Sequence, residues 1–304
     1  MHQSSGRWRL GLGLSLLTVC LWGILPIALT VSLRVLDVYT IIWFRFLLSF
    51  VVLAVLLGLG GKLPDWQKLR SSSGILLAIA TLFLGFNYLL FMQGLALTSA
   101  GNAEVLIQLA PLLLSLGGLV IFRERYTVHQ WLGVSILTAG YMIFFHEQLT
   151  LITVQGRYIL GSGLIVIGAA AWAIYALCQK QLLNSLSSAQ IMVIIYGGCA
   201  VLFTPFAEPG KIITLSSSQL LVLLFCGLNT LIAYGAFAES LQHWPASRVS
   251  AVLAIAPIIT LIAVATVSTV YPTVMPTEHL TVIGILGALL VVTGSVAIAL
   301  GKAN

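Results

Sequence analysis

Residues 124–140 read ERYTVHQWLGVSILTAG, and residues 278–294 read EHLTVIGILGALLVVTG. Each stretch places an acidic residue, a glycine and a second glycine at the same spacing: Glu124, Gly133 and Gly140 against Glu278, Gly287 and Gly294. Either one alone says little, because glycine is common in membrane helices. Working back from each, however, gives the same landmarks in the same order. Ala110-Pro111 matches Ala256-Pro257, and Gly85-Phe-Asn87 matches Gly227-Leu-Asn229. LWGI at 21–24 matches AWAI at 171–174. The chain is an internal duplication, with halves at 1–150 and 151–304.

Composition names the solvent. Of 304 residues, 60% are hydrophobic and only 7% are charged, against about 25% charged in ordinary soluble domains. With a mean hydropathy of +1.09, the chain cannot cover a water-facing surface, so lipid is expected around it. The net charge of +6 does not point to nucleic acid. Its basic residues stand singly or in small groups between apolar runs and build no continuous face. Cys20, Cys178, Cys199 and Cys226 lie in apolar runs without metal-ligand spacing and read as small buried hydrophobes. The run after Arg7 and Arg9 lacks a small-x-small cleavage site and reads as an uncleaved first span.

A bilayer core about 30 Å thick takes roughly 20 apolar residues per helix. That ruler finds ten spans, at 10–31, 38–59, 74–97, 100–122, 128–146, 158–179, 189–207, 218–239, 246–270 and 279–300. With a cytoplasmic N-terminus, the inner connections hold Arg7, Arg9, Lys62, Lys68, Arg70, Arg123, Arg125, Lys180, Arg248 and Lys302. The outer ones hold Arg34, Arg157 and Lys211, the asymmetry that the positive-inside rule requires. Five spans is an odd number, so the second half enters the membrane from the opposite side. The expected fold class is an all-α integral membrane protein of ten transmembrane helices, built as two inverted five-helix repeats. Such architecture is characteristic of secondary transporters.

Several motifs together resemble the EamA-type branch of the drug/metabolite transporter superfamily. They are Trp22-Gly23, FRF at 44–46, ALTSAGNAEVLIQLAPLLLSL at 96–116, and Glu124 with Gly133 and Gly140. The resemblance covers both halves and is closer in the first. Arg123 and Thr277 stand where the family has a glycine before the glutamate, and about eight extra residues separate Pro257 from Glu278. The resemblance implies a proton- or gradient-linked carrier, often an exporter of amino acids or related metabolites. It also implies that spans 1, 3, 4, 6, 8 and 9 surround a cavity, with spans 5 and 10 peripheral.

Glu104, Gln108 and Pro111 share one helical face through i, i+4, i+7 spacing. A carboxylate at mid-membrane costs about 2.5–3.5 kcal/mol on insertion scales and normally faces a cavity or a partner. Arg45 falls at similar depth. Two readings stay open: Arg45 and Glu104 form a structural ion pair or Arg45 snorkels outward, neither touching substrate, or Glu104 holds a substrate ammonium or a coupling proton. Asn87 and Asn229 either tie helices together or line the cavity, with Phe91 one turn on from Asn87. Trp22 and Trp172 lie away from the interfaces where Trp collects and are packing wedges or cavity walls, with Tyr175 beside Trp172. The candidate substrate-binding set is thus Trp22, Asn87, Phe91, Glu104, Gln108, Trp172, Tyr175 and Asn229. Pro111 and Pro257 each remove a helix hydrogen bond and are candidate hinge or gate residues. Arg248 reads as a cytoplasmic anchor.

The chain has no HExxH, Walker A or nucleophile elbow, and GLGLSL at 11–16 lacks the last glycine of a dinucleotide fingerprint. His2, His129, His146, His243 and His279 lie at or outside span ends. No enzyme activity, cofactor or metal site is expected. The expected function is a secondary transporter of small polar or amphipathic metabolites, an amino-acid or related metabolite exporter working by alternating access in the plasma (inner) membrane. The alternatives are a channel-like permease or a non-transporting membrane partner protein. Expected partners are a small-molecule substrate and the bilayer, with no nucleic acid. A homodimer contact is a candidate through the glycine-rich fifth and tenth spans.

Overall fold

The computed structural model describes residues 7–64, 73–121, 127–152, 156–272 and 281–300. Among them every regular element is helical and no strand occurs. Lipid offers a backbone no water, so each apolar run satisfies its own amides and carbonyls by coiling. The first half contains α1 (Trp8–Ser32), α2 (Val38–Leu59), α3 (Ser73–Leu97), α4 (Ala100–Ile107), α5 (Leu109–Ile121) and α6 (Val128–Ile152). The second begins with α7 (Gly156–Leu182), α8 (Ser188–Phe203), a 3-10 turn at Thr204–Phe206 and the short α9 (Gly210–Ile213). It continues with α10 (Ser217–His243), α11 (Ala246–Leu253), α12 (Ala256–Val270) and α13 (Val282–Leu300). Among the described residues, six helices are long and apolar enough to cross a membrane: α1, α2, most of α3, α7, α8 with its 3-10 extension, and α10. The chain is a multi-pass integral membrane protein.

Two expected spans, 100–122 and 246–270, are broken. Regular helix stops at Ile107 and resumes at Leu109, and stops at Leu253 and resumes at Ala256. Each break comes just before a proline, Pro111 or Pro257. A prolyl nitrogen has no hydrogen to donate, and its ring crowds the carbonyl four residues back. The carbonyls of Ile107 and Leu253 therefore lose their usual donor. The backbone tightens instead, with the Gln108 amide donating to Val105 O at 3.2 Å and the Ile255 amide to Val252 O at 3.1 Å. The seventh expected span also ends early, its α-helix stopping at Phe203 ahead of Pro205.

The two halves share a register. After α1, the amides of Leu33, Val35 and Leu36 bond to the carbonyls of Leu29, Ser32 and Ser32. After α7, those of Leu183, Ser185 and Leu186 bond to Gln179, Leu182 and Leu182. Each turn then ends on a residue whose side chain caps the next helix, Asp37 accepting from the Thr40 amide and Ser187 from the Gln190 amide. By this register Trp22 answers to Trp172, and Arg45 to Ile195.

Helices α6 and α13 meet along a seam of small residues. A Cβ added to Gly133 would stand 2.8 Å from the Gly294 carbonyl oxygen, and one on Gly140 would stand 2.9 Å from that of Gly287. The first glycine of each helix thus faces the second of the other, so the pair runs antiparallel with backbones in contact. These four glycines face one another within one chain. Elsewhere α3 packs along α7, and α1 along α10. Cys199 and Cys226 are buried as expected, whereas Cys20 is exposed and Cys178 half-buried. Arg123, Glu124, Arg125, Thr277 and Glu278 lie outside the described residues.

Candidate functional site

A cavity opens between helices of both halves. Most of its lining positions on the long helices fall near their middles. From α1 come Trp22, Leu25, Pro26 and Leu29, one face by their spacing. From α3 come Asn87, Tyr88 and Phe91, while α2 adds Arg45, α7 adds Trp172 and α10 adds Tyr234. The broken helices close one wall with Glu104, Ile107, Gln108 and Ala110, and with Leu253. A mostly apolar wall with a few placed polar groups is the usual form of a small-molecule site.

Local structure explains how a carboxylate comes to stand there. Ser99 caps α4 by accepting from the Asn102 amide at 3.3 Å, and residues Ala100 to Leu106 are all buried. Glu104 is therefore carried into the interior on a helix with no lipid-facing side, and is 5% exposed. One turn on, Gln108 sits at the helix break. The Gln108 Oε1 is buried with no hydrogen-bond partner, as is the Trp22 indole Nε1. Such orphans are costly, and both belong to cavity-lining residues.

Aromatic rings form another part of the lining and the layer behind it. Trp22 touches Tyr234 and Phe237 with centroids 4.9 and 5.6 Å away, and Trp172 packs on Phe237 at 5.1 Å. Inside α1, Pro26 cannot donate to the Trp22 carbonyl.

Six of the sequence candidates line this cavity: Trp22, Asn87, Phe91, Glu104, Gln108 and Trp172. Two do not. Tyr175 is fully buried behind Trp172, and its hydroxyl donates to Met192 Sδ at 3.4 Å. The Asn229 amide donates to Leu21 O at 2.7 Å and ties α10 to α1. Asn87 does both jobs, lining the cavity while donating to Gly168 O on α7 at 3.0 Å. Pro257 is buried in the first turn of α12, whereas the Pro111 side chain lies outside those described. Arg248 is exposed and away from the cavity.

The expected Arg45–Glu104 ion pair is absent among the described residues. Arg45 turns toward α10, where its Nε donates to Thr230 Oγ1 at 2.9 Å, and its Cζ lies 4.5 Å from the centre of the Tyr88 ring. Sequence reasoning missed Pro26, Tyr88 and Tyr234. Pro26 carried a signal, an intrahelical proline four residues after Trp22. For the tyrosines none was available, because which face of an all-apolar helix turns inward is not written in its periodicity.

The EamA-like transporter family matches this chain twice, over residues 9–154 and 159–300. The chain is 36% identical over 303 residues to the "Uncharacterized inner membrane transporter YhbE" of Escherichia coli (strain K12), covering 99% of this chain and 94% of that protein. An "Uncharacterized transporter" of Haemophilus influenzae is 34% identical, covering 96% and 95%. In fold, it is similar to a crystal structure of 14% sequence identity with a TM-score of 0.68, covering 95% of this chain and 96% of that one. Both relatives are named as transporters. With a lined cavity inside a multi-pass bundle and family matches along both halves, this protein is a membrane transporter that belongs to the EamA-like transporter family.

Proposed function

We propose that the protein is a secondary carrier of amino acids or related amphipathic metabolites, working by alternating access between two inverted five-helix halves. Ten membrane crossings with both termini cytoplasmic are part of this reading, which the Lys and Arg asymmetry of the connections supports. The family resemblance favours export, and the inner-membrane relative favours the plasma membrane. The observation that carries the reading is the Glu104–Gln108 face at the break between α4 and α5. It puts a buried carboxylate and an unpartnered amide oxygen on the wall of an aromatic cavity. Discontinuous helices at a cavity between halves are the usual way for transporters to bring polar groups to a bilayer midplane.

Counterflow in proteoliposomes tests this. Vesicles preloaded with unlabelled amino acids accelerate uptake of the labelled ones if the protein is a carrier. A channel-like permease conducts without trans-stimulation, and a partner protein moves nothing.

A further inference from the structure

We propose that Trp244 is the cytoplasmic gate of the transport path: its indole, seated on Gly11, shuts that end, and its departure opens it. The assignment rests on the alternating-access reading and the orientation given above. It names a positioning residue that sets access to the cavity without touching the substrate.

The two halves close on each other through counterpart contacts. Helices α3 and α4 meet at a tip that follows Leu97, and α10 and α11 at a tip that follows His243. Counted back from Pro111 and Pro257, Thr98 answers to Trp244. In the register that pairs Trp22 with Trp172, Gly11 answers to Gly161. Each tip rests on one of these glycines in the opposite half. A Cβ added to Gly161 would stand 2.7 Å from Leu97 Cβ and from Thr98 Cγ2, and 3.1 Å from the Gly94 carbonyl oxygen. One added to Gly11 would stand 2.6 Å from Trp244 Cδ1 and 2.8 Å from its Cγ. The first contact brings backbones together, whereas the second is a ring lying in a notch. Gly11 precedes Trp22 by eleven residues and Trp244 follows Tyr234 by ten, so the ring stands about 15–17 Å along α1 and α10 from the cavity wall. That places it at the cytoplasmic end of the path.

A tryptophan at a helix end ordinarily turns its N–H toward water or head groups. Trp244 does the reverse, because its Nε1 is buried and has no hydrogen-bond partner among the described residues. The unmade bond offsets part of what burying the ring gains, so the seat is weak enough to be left. A ring also leaves by turning to another side-chain rotamer, whereas the Gly161 contact opens only if two helices part. The shaft of α10 is meanwhile held. Glu239 accepts from the Ser188 hydroxyl on α8, and the Asn229 amide donates to Leu21 O. The tip can release α1 while the helix behind it stays in place.

The test is carried out on the full-length protein with its native cysteines replaced and Ala110→Cys added on the cavity wall. A membrane-impermeant thiol reagent is applied to inside-out vesicles and, separately, to right-side-out spheroplasts. Trp244→Ala is expected to raise labelling from the cytoplasmic face at least about tenfold and not from the outer face, as a shift between two access states requires. Gly11→Ala, which displaces the ring without removing it, is expected to act in the same direction. Trp244→Phe keeps a ring and drops the unpartnered N–H, so it should label from the cytoplasm no faster than the parent. Gly161→Ala should raise labelling from the outer face instead. Cytoplasmic labelling left unchanged by both Trp244→Ala and Gly11→Ala overturns the gate, and so does an equal rise from both faces, which would mean general loosening. Counterflow by the parent protein separates the two levels: if it is present and the labelling fails, the gate alone falls, and if it is absent the carrier reading falls with it.

Discussion

Trp22 and Trp172, counterparts in the two halves, meet edge to face beside the cavity, with ring centroids 5.9 Å apart and planes at 81°. The contact joins α1 of the first half directly to α7 of the second. An edge-to-face aromatic pair is worth about 0.5–1.5 kcal/mol beyond its burial. A double-mutant cycle with Trp22→Ala and Trp172→Ala should return a coupling energy in that range, read from thermal unfolding in detergent. Additive effects would mean that the rings do not meet.

Glu104→Gln keeps the shape of the wall and removes the ionisable carboxyl. Because the carboxylate faces no cation among the described residues, the fold should lose little and the transported ligand much. Counterflow should fall at least about tenfold, as losing an ionic hydrogen bond in a buried site predicts. A Glu104→Gln protein that transports at the wild-type rate with unchanged pH dependence removes the residue from the mechanism.

Gly133→Ala and Gly140→Ala each push a methyl into backbone atoms of α13, at 2.6 Å from the amides of Ile298 and Val291 respectively. Backbone cannot step aside as a side chain can, so each should cost about 1–3 kcal/mol of stability. Gly163→Ala, whose added methyl meets nothing within 4 Å, should melt like wild type. If the three behave alike, the seam is not where stability resides.

Much of this arrangement was legible in the sequence, for identifiable reasons. Span edges followed from the length of apolar runs, and α2 runs over the expected residues 38–59. The Glu104–Gln108 face followed from helical spacing. Lateral adjacency did not. In lipid both the buried and the outward faces of a helix are apolar, so amphipathic period, the usual guide to orientation, is weak. Hence the Arg45 partner looked like Glu104, matched by depth, when α2 actually lies against α10 and offers Arg45 to Thr230. Tyr175 was misplaced for the same reason, its face turning to Met192. The helix breaks had a local cause in Pro111 and Pro257, yet a proline alone does not distinguish a kink from a break.

Outside the membrane-spanning segments, Lys211 bridges Glu208 at 2.9 Å and Asp37 at 3.6 Å, and the Glu208 amide donates to Thr40 Oγ1 at 2.9 Å. This links the start of α2 to the connection before α10. Partial burial pushes the Asp37 carboxyl up, but the Thr40 amide and hydroxyl and the Lys211 charge bring it below its ordinary value of 3.8 on balance. Its stabilisation is therefore complete above that value and fades as pH falls through the lowered one. Asp37→Ala should cost about 0.5–2 kcal/mol at neutral pH through loss of the cap. The gap from wild type should narrow only below about pH 4. A gap that closes near pH 6 would assign the effect to another group.

Sidedness tests the central claim most directly. In a protein whose native cysteines are replaced, single cysteines at Ser4 and at Thr153 are labelled in intact cells with a membrane-impermeant thiol reagent. Two oppositely threaded five-helix halves predict that position 153 reacts from outside while position 4 reacts only after the membrane is opened. Labelling of both from the same side would contradict the antiparallel halves, and with them the shared cavity as an alternating-access site.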